Sequence, residues 1–281
     1  MNVATVRSGI PLTKIRPSAG WFNLNLRELW THRELLYFLI WRDVKVRYKQ
    51  TVIGAAWAVI QPFFTMVVFS LFFGALAKIP SQGMPYPLFA YSALLPWTYF
   101  ANALQNATNT MVEHQRIVTK VYFPRLALPL AAVLSGLVDF GVAFVILIAM
   151  MFFYGLAPRP AVLLLPVFLL LAVLTALGVG LWLSALNARY RDVRYAVPFV
   201  IQLWLFASPV AYPSSLVPSA WRWLYGLNPM AGVIEGFRWA LTGAGGPPGP
   251  LLLDSVAAVV VVLLGGLVYF QRVEGTIADV V

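Results

Sequence analysis

Long apolar runs alternate along this chain with short basic segments, and the positive charge is concentrated on every second segment. Sixteen of the twenty Lys and Arg residues lie in four places. They are residues 1–53 (Arg7, Lys14, Arg16, Arg27, Arg33, Arg42, Lys45, Arg47, Lys49), the segment with Arg116, Lys120 and Arg125, the segment with Arg189, Arg191 and Arg194, and Arg272. Lys78, Arg159, Arg222 and Arg238 fall in the segments between. An excess of Lys and Arg marks the cytoplasmic side of a membrane protein. The pattern therefore predicts a chain threaded through a bilayer an even number of times, with both termini in the cytoplasm.

Composition supports that expectation. The 281 residues are 60% hydrophobic and only 11% charged, where a soluble domain carries about 25% charged residues. A net charge of +10 would also suit nucleic acid. The charge forms no single patch, however, and basic residues beside apolar runs serve orientation and anionic headgroups, so no nucleic-acid partner is expected. There is no cysteine, which removes disulfides, thiolate metal sites and thiol nucleophiles. Residues 1–20 are mixed, contain Pro11 and Pro17, and lack the apolar core of a cleaved signal peptide. They read as a flexible cytoplasmic tail ahead of a single transmembrane domain over residues 21–281.

A span needs about 20 mostly apolar residues. Six stretches qualify: 55–77, 88–111, 126–154, 161–186, 196–212 and 251–270. The fifth is short and holds Pro198 and Pro209, while Pro62, Pro96 and Pro209 are expected as kinks inside spans. Two further segments are apolar without crossing. Over residues 21–41, Leu26, Leu29, Trp30, Leu36, Tyr37 and Ile40 recur at helical spacing opposite Arg27, Glu28, Thr31 and Glu34, with Arg33 on the apolar side. This describes an amphipathic helix in the cytoplasmic interface, serving as an anchor or as a docking surface. Between the fifth and sixth stretches, the apolar pieces 216–227 and 230–241 are broken by Asn228-Pro229, and each is too short to cross. They read as a re-entrant hairpin on the outer side, with the Gly/Pro-rich residues 243–250 as the hinge into the last span. The expected fold class is thus an all-α integral membrane protein of six transmembrane helices, with an N-terminal interface helix and an outer hairpin. No internal repeat is visible.

Within the second stretch, Thr98, Asn102, Gln105, Asn106 and Asn109 follow at steps that place all five on one helix face. An amide facing lipid forfeits hydrogen bonds worth several kcal/mol, so the stripe must face protein or water. It is either the wall of a wet pathway or a buried interhelical network. We favour the pathway, because so many amides exceed what one helix contact uses. Asp139 is the one acid deep in an apolar run. A single such acid is thin support for ion coupling, and a structural hydrogen bond or a protonated carboxyl explains it better. Glu235 and Arg238 stand one helical turn apart and are expected to pair. Asp254 is placed in the first turn of the last helix, where the helix dipole favours an anion. Most Trp and Tyr, including Trp57, Trp97, Trp221, Trp223 and Tyr225, fit interfacial belts, although some rings could line a conduit for sugars.

Catalytic constellations are absent from the sequence. No Lys follows a Gly, so the Walker A pattern cannot occur. There is no HExxH, and His32 and His114 lie in expected cytoplasmic segments, far from any nucleophile. No metal site and no catalytic residue is expected.

Three stretches resemble the permease subunit of ABC exporters of lipid-linked polysaccharides, the O-antigen and teichoic-acid type. They are WRDVKVRYKQTVIGAAWAVIQP from Trp41 to Pro62, VYFPR at 121–125 with the basic loop before it, and NARYRDVRY at 187–195 continuing to SPVAYP at 208–213 and LNPM at 227–230. The resemblance runs from about residue 35 to the C-terminus. It implies a homodimer in a bacterial inner membrane, with two copies of a separate ATPase bound beneath, and with ATP and Mg held by that partner. By position, 113–125 and 187–194 would be the loops that meet the ATPase, which makes Arg116, Lys120, Arg189, Arg191, Asp192 and Arg194 the coupling candidates. Topological charge alone also explains these residues. The hairpin would be the outer gate, with Trp221, Trp223, Asn228, Glu235 and Arg238 as its candidates. The same architecture could carry a lipid or a drug. An ion-coupled transporter or a membrane glycosyltransferase would need acids that the sequence lacks.

Overall fold

In a computed structural model, residues 26–49, 56–157 and 159–280 are described; the expected tail at 1–20 lies outside them. The described residues form helices and loops and contain no strand. Helix α1 (Leu26–Thr31) leads into α2 (Arg33–Lys49). Helix α3 (Ala56–Phe69) continues in a π-helical turn, Ser70–Leu76. Then come α4 (Tyr86–Glu113), the short α5 (Gln115–Lys120), α6 (Ala127–Phe153), α7 (Leu165–Arg189) with a 3-10 entry at Pro160–Leu164, and α8 (Val193–Phe206). Helices α9 (Arg222–Gly226), α10 (Pro229–Thr242) and α11 (Pro250–Val280) complete the chain.

Among the described residues, four segments are long and apolar enough to cross a membrane: Ala56–Leu76, Ala127–Phe153, Pro160–Arg189 and Pro250–Glu274. The chain is therefore a multi-pass, all-helical membrane protein. The other two expected spans differ for separate reasons. Helix α4 has 28 residues and ample length, but its polar stripe lowers its hydropathy. Helix α8 has only 14 residues, about 21 Å of rise against a hydrocarbon core of about 30 Å.

Helix α4 is the hub. Its face of Trp97, Phe100, Leu104, Ala107 and Met111, spaced three and four apart, is buried and packs with α6, α7, α8 and α10. The stripe occupies another face of the same helix. A second cluster of Leu39, Val118, Phe123, Leu128, Leu181 and Phe270 seats α2 through Leu35, Leu36, Leu39 and Ile40. Trp30 and Tyr37, expected on the apolar side of that helix, point outward instead and are about 70% exposed: 72% and 70%. The helix is thus apolar on two sides, one against protein and one aromatic.

Helices α7 and α11 approach closely because Gly178 and Gly266 face each other. A Cβ at Gly178 would lie 2.9 Å from the backbone of Leu263, which only a small residue permits. Helix α10 starts where the sequence says it should. Pro229 occupies its first turn, and the Asn228 side chain accepts from the Met230 N–H at 3.1 Å. It stops at Gly243, whose φ of 71° is the left-handed conformation that caps helices. Two local expectations fail. Pro209 lies beyond the end of α8 and kinks no helix. Asp254 is the fifth residue of α11, past the first turn, and packs against Gly226.

Candidate functional site

The stripe of α4 divides. Thr98, Asn102, Gln105 and Asn106 line a cavity of about 320 Å³ together with Trp57 and Gln61 of α3, Asp139 and Phe140 of α6, and Arg47 of α2. A second cavity of about 580 Å³ shares Arg47 and Asn106 with the first. It continues toward the C-terminal end of α4 past Arg42, Asp43, Glu113 and His114. The result is a polar groove inside one subunit. Among the described residues, the side chains of Gln61, Thr98, Asn102, Gln105 and Asn106 make no hydrogen bond to protein. Asn109 leaves the groove and accepts from the buried Asn187 of α7, Nδ2 to Oδ1 at 3.3 Å. One member of the stripe therefore belongs to an interhelical network, and the other four line the groove.

Asp139 is paired. Its carboxylate accepts from the Arg47 guanidinium and from the Tyr48 hydroxyl, so its structural partner comes from α2. Partial burial, followed by the hydrogen bond to Asp139 and its negative charge, pushes the Tyr48 phenol up to about 12. It stays a neutral donor at physiological pH. Further along α2, Arg42 pairs with Asp43 at 2.8 Å and bonds His114 Nε2 at 2.6 Å. The other His114 nitrogen, Nδ1, faces the Thr110 carbonyl at 3.0 Å, so Nδ1 carries the proton and Nε2 accepts. These contacts hold α2 along the groove as its floor.

The coupling candidates are all exposed: Arg116 and Lys120 in α5, and Arg189, Arg191, Asp192 and Arg194 around the junction of α7 and α8. Arg189 lies over the Tyr190 ring at 5.4 Å and Arg194 over Tyr195 at 4.5 Å. Arg125 does not join them, because its side chain is bonded to the Glu274 carbonyl. Beneath the loops, Tyr122 donates to Glu28 at 3.0 Å, which raises its phenol pKa.

At the far end of the molecule, the gate candidates separate into two groups. Asn228 accepts from Trp204 Nε1 at 2.8 Å and donates to Ser208 Oγ at 2.9 Å, fastening the start of α10 to the end of α8. Arg238 is fully buried, 3.7 Å over the Phe89 ring, and donates to the Pro209 carbonyl at 2.9 Å. Glu235 lies 3.5 Å from Arg238 and accepts from the Ser214 N–H at 2.9 Å. Trp221 and Trp223 are exposed and stand outside these contacts. Sequence reasoning missed Tyr48, Gln61, Asn187 and Trp204. Of these, Asn187 gave a signal, as a lone amide at the end of an apolar helix.

The profile of the ABC-2 type transporter family matches residues 34–242. The O-antigen export system permease protein RfbA of Myxococcus xanthus is 32% identical over 242 residues, covering 85% of this chain and 92% of that protein. A protein of the same name from Klebsiella pneumoniae is 29% identical over 73% of this chain and 79% of its own length. The inner membrane transport permease YadH of Escherichia coli strain K12 is 25% identical over 67% of this chain and 77% of its own length.

Proposed function

Because the chain belongs to the ABC-2 type transporter family, and is therefore a membrane transport subunit rather than an enzyme, we propose that it exports a lipid-linked polysaccharide across a bacterial cytoplasmic membrane. The observation that carries this reading is the similarity to an O-antigen export permease along 92% of that protein's length. A membrane groove lined with uncharged amides supports it, since amides suit hydroxyl-rich cargo.

In this reading two copies of the chain associate with two ATPase subunits, which hold the ATP and Mg. Helices α4 and α8 complete a set of six spans, the termini are cytoplasmic, and the segment from Ser214 to Thr242 is a re-entrant outer gate. The exposed charges at 116–120 and 189–194 meet the ATPase. Closure of the ATPases on ATP would move these loops and open the path. The four groove residues of α4 form part of its polar wall.

The test is genetic and biochemical together. After deletion of the gene, a lipid-linked glycan should accumulate on the cytoplasmic side, and purification in mild detergent should bring down an ATPase subunit. Accumulation of some other lipid, with no glycan retained, would replace the polysaccharide by a lipid cargo.

A further inference from the structure

Charge balance and hydrogen-bonding capacity together decide what the groove can hold. The cations lining it are each answered, Arg47 by Asp139 and Arg42 by Asp43, and Glu113 adds a further acid. Among the described residues, no positive charge is left over there to select a phosphate, which binds best where Arg or Lys offers an unanswered fork or point charge. The hydrogen-bonding capacity is of the opposite kind. Gln61, Asn102, Gln105 and Asn106 each offer both a donor and an acceptor, and none is bonded to protein among the described residues. Trp57 and Tyr99 line the same cavity and offer aromatic faces. Uncharged groups that both donate and accept, beside flat apolar rings, suit an uncharged polyhydroxylated ring.

We propose that the groove between α2, α3, α4 and α6 of a single subunit is a binding site for an uncharged saccharide unit. The site rests on the export reading above only in that a glycan is what reaches it. Its volume of about 320 Å³ is at the small end of ligand pockets, about 300–1,000 Å³, so it takes a short saccharide rather than a whole chain. Because α2 forms the floor, the Arg47–Asp139 pair and the Tyr48 hydroxyl keep the amides facing a bounded space. The site is complete within one copy of the chain.

The absence of cysteine makes the test direct. Gln105 is exposed to the groove, and Gln105→Cys places a reporter thiol in it. The full-length chain is purified with its ATPase in lauryldimethylamine oxide, a detergent without sugar, and labelled with a charged thiosulfonate. Decyl maltoside should slow labelling about tenfold at saturation, equivalent to about 1.4 kcal/mol of protection; decyl phosphate should not. Adding Asn102→Ser and Asn106→Ser, which leave small polar side chains, should remove the protection without changing the thermal midpoint. Thr119→Cys, exposed on α5, should label at the same rate with both additives. Equal protection by decyl phosphate would overturn the selectivity for uncharged rings. No protection by decyl maltoside, or no labelling of Gln105→Cys at all, would overturn the site. If protection fails while cells still export polysaccharide, the groove alone is excluded. If protection holds while no polysaccharide is exported, the export reading alone is excluded.

Discussion

Asn187 and Asn109 meet across α7 and α4, where the Asn187 amide nitrogen reaches Asn109 Oδ1 at 3.3 Å and donates to the neighbouring Thr108 carbonyl at 3.0 Å. Asn187 is fully buried and stands two residues before Arg189, while Asn109 stands four before Glu113. The contact therefore ties the roots of both exposed loops into one unit. Replacing Asn187 with Leu keeps the branched shape and removes the tie, at about 1–3 kcal/mol for the buried polar groups left unpaired. ATP hydrolysis should persist in the mutant complex while export falls. Export and hydrolysis that decline together, in step with loss of protein, would show that the tie is needed only for stability.

Charge reversal at Arg116 and Lys120, or at Arg189 and Arg191, should leave the protein inserted and weaken its hold on the ATPase. All four side chains are exposed, so their contribution to folding is within about 0.5 kcal/mol each. The defect should be an interface defect that is largest at low salt and narrows as salt rises, because salt screens both the native attraction and the repulsion that reversal introduces. Co-purification of the ATPase across a salt series measures this, and an unchanged yield in both double mutants would remove these loops from coupling.

For the groove, replacing Asn102 and Asn106 with Leu should leave thermal stability in detergent within about 1 kcal/mol of wild type, because polar groups that water solvates cost little to lose. Export should fall. The same substitution at Asn109 should behave differently and lower the thermal midpoint, because Asn109 is bonded to Asn187.

The buried Arg238 predicts an asymmetry between single and double substitution. Arg238→Met leaves Glu235 facing a pocket that has lost its cation, and should cost about 3–5 kcal/mol. Combining it with Glu235→Gln removes the stranded charge and keeps an acceptor for the Ser214 N–H. The double variant should regain part of the loss in thermal unfolding, whereas additive losses would mean that the two residues act independently.

Orientation is open to the same thiol chemistry. Single cysteines at Thr119 and Ala188 should resist an impermeant reagent in intact cells, while those at Ser81, Ser214 and Gly245 should react. Labelling of Thr119→Cys would reverse the topology read from the basic segments.

Periodicity made the hub helix and its polar face legible, because amides at helical spacing cannot be hidden in lipid. Where the face led was not legible. Spacing alone could not show that Asn109 turns toward α7 while Asn106 stays in the groove, since both choices satisfy the same period. Tyr48 and Arg47 were missed as partners of Asp139 because Arg47 sits in a basic run that orientation already explained. The end of α8 was misjudged for a local reason. The residue before a proline is biased away from helix, and at Ser208-Pro209 the chain turns, with Ser208 bonding back to the Trp204 carbonyl at 2.9 Å. Asp254 was assigned by counting from a helix start that could not be fixed to the residue.

The pairing of Arg47 with Asp139 also sets an order of events during biosynthesis. The two residues are 92 positions apart, so at ordinary synthesis speeds α2 emerges roughly 5–20 s before its partner on α6. Through that interval Arg47 lacks the carboxylate that it meets in the finished fold. The seating of α2 through this pair therefore waits on the synthesis of α6, so the N-terminal helix reaches its final place only after the helices that follow it.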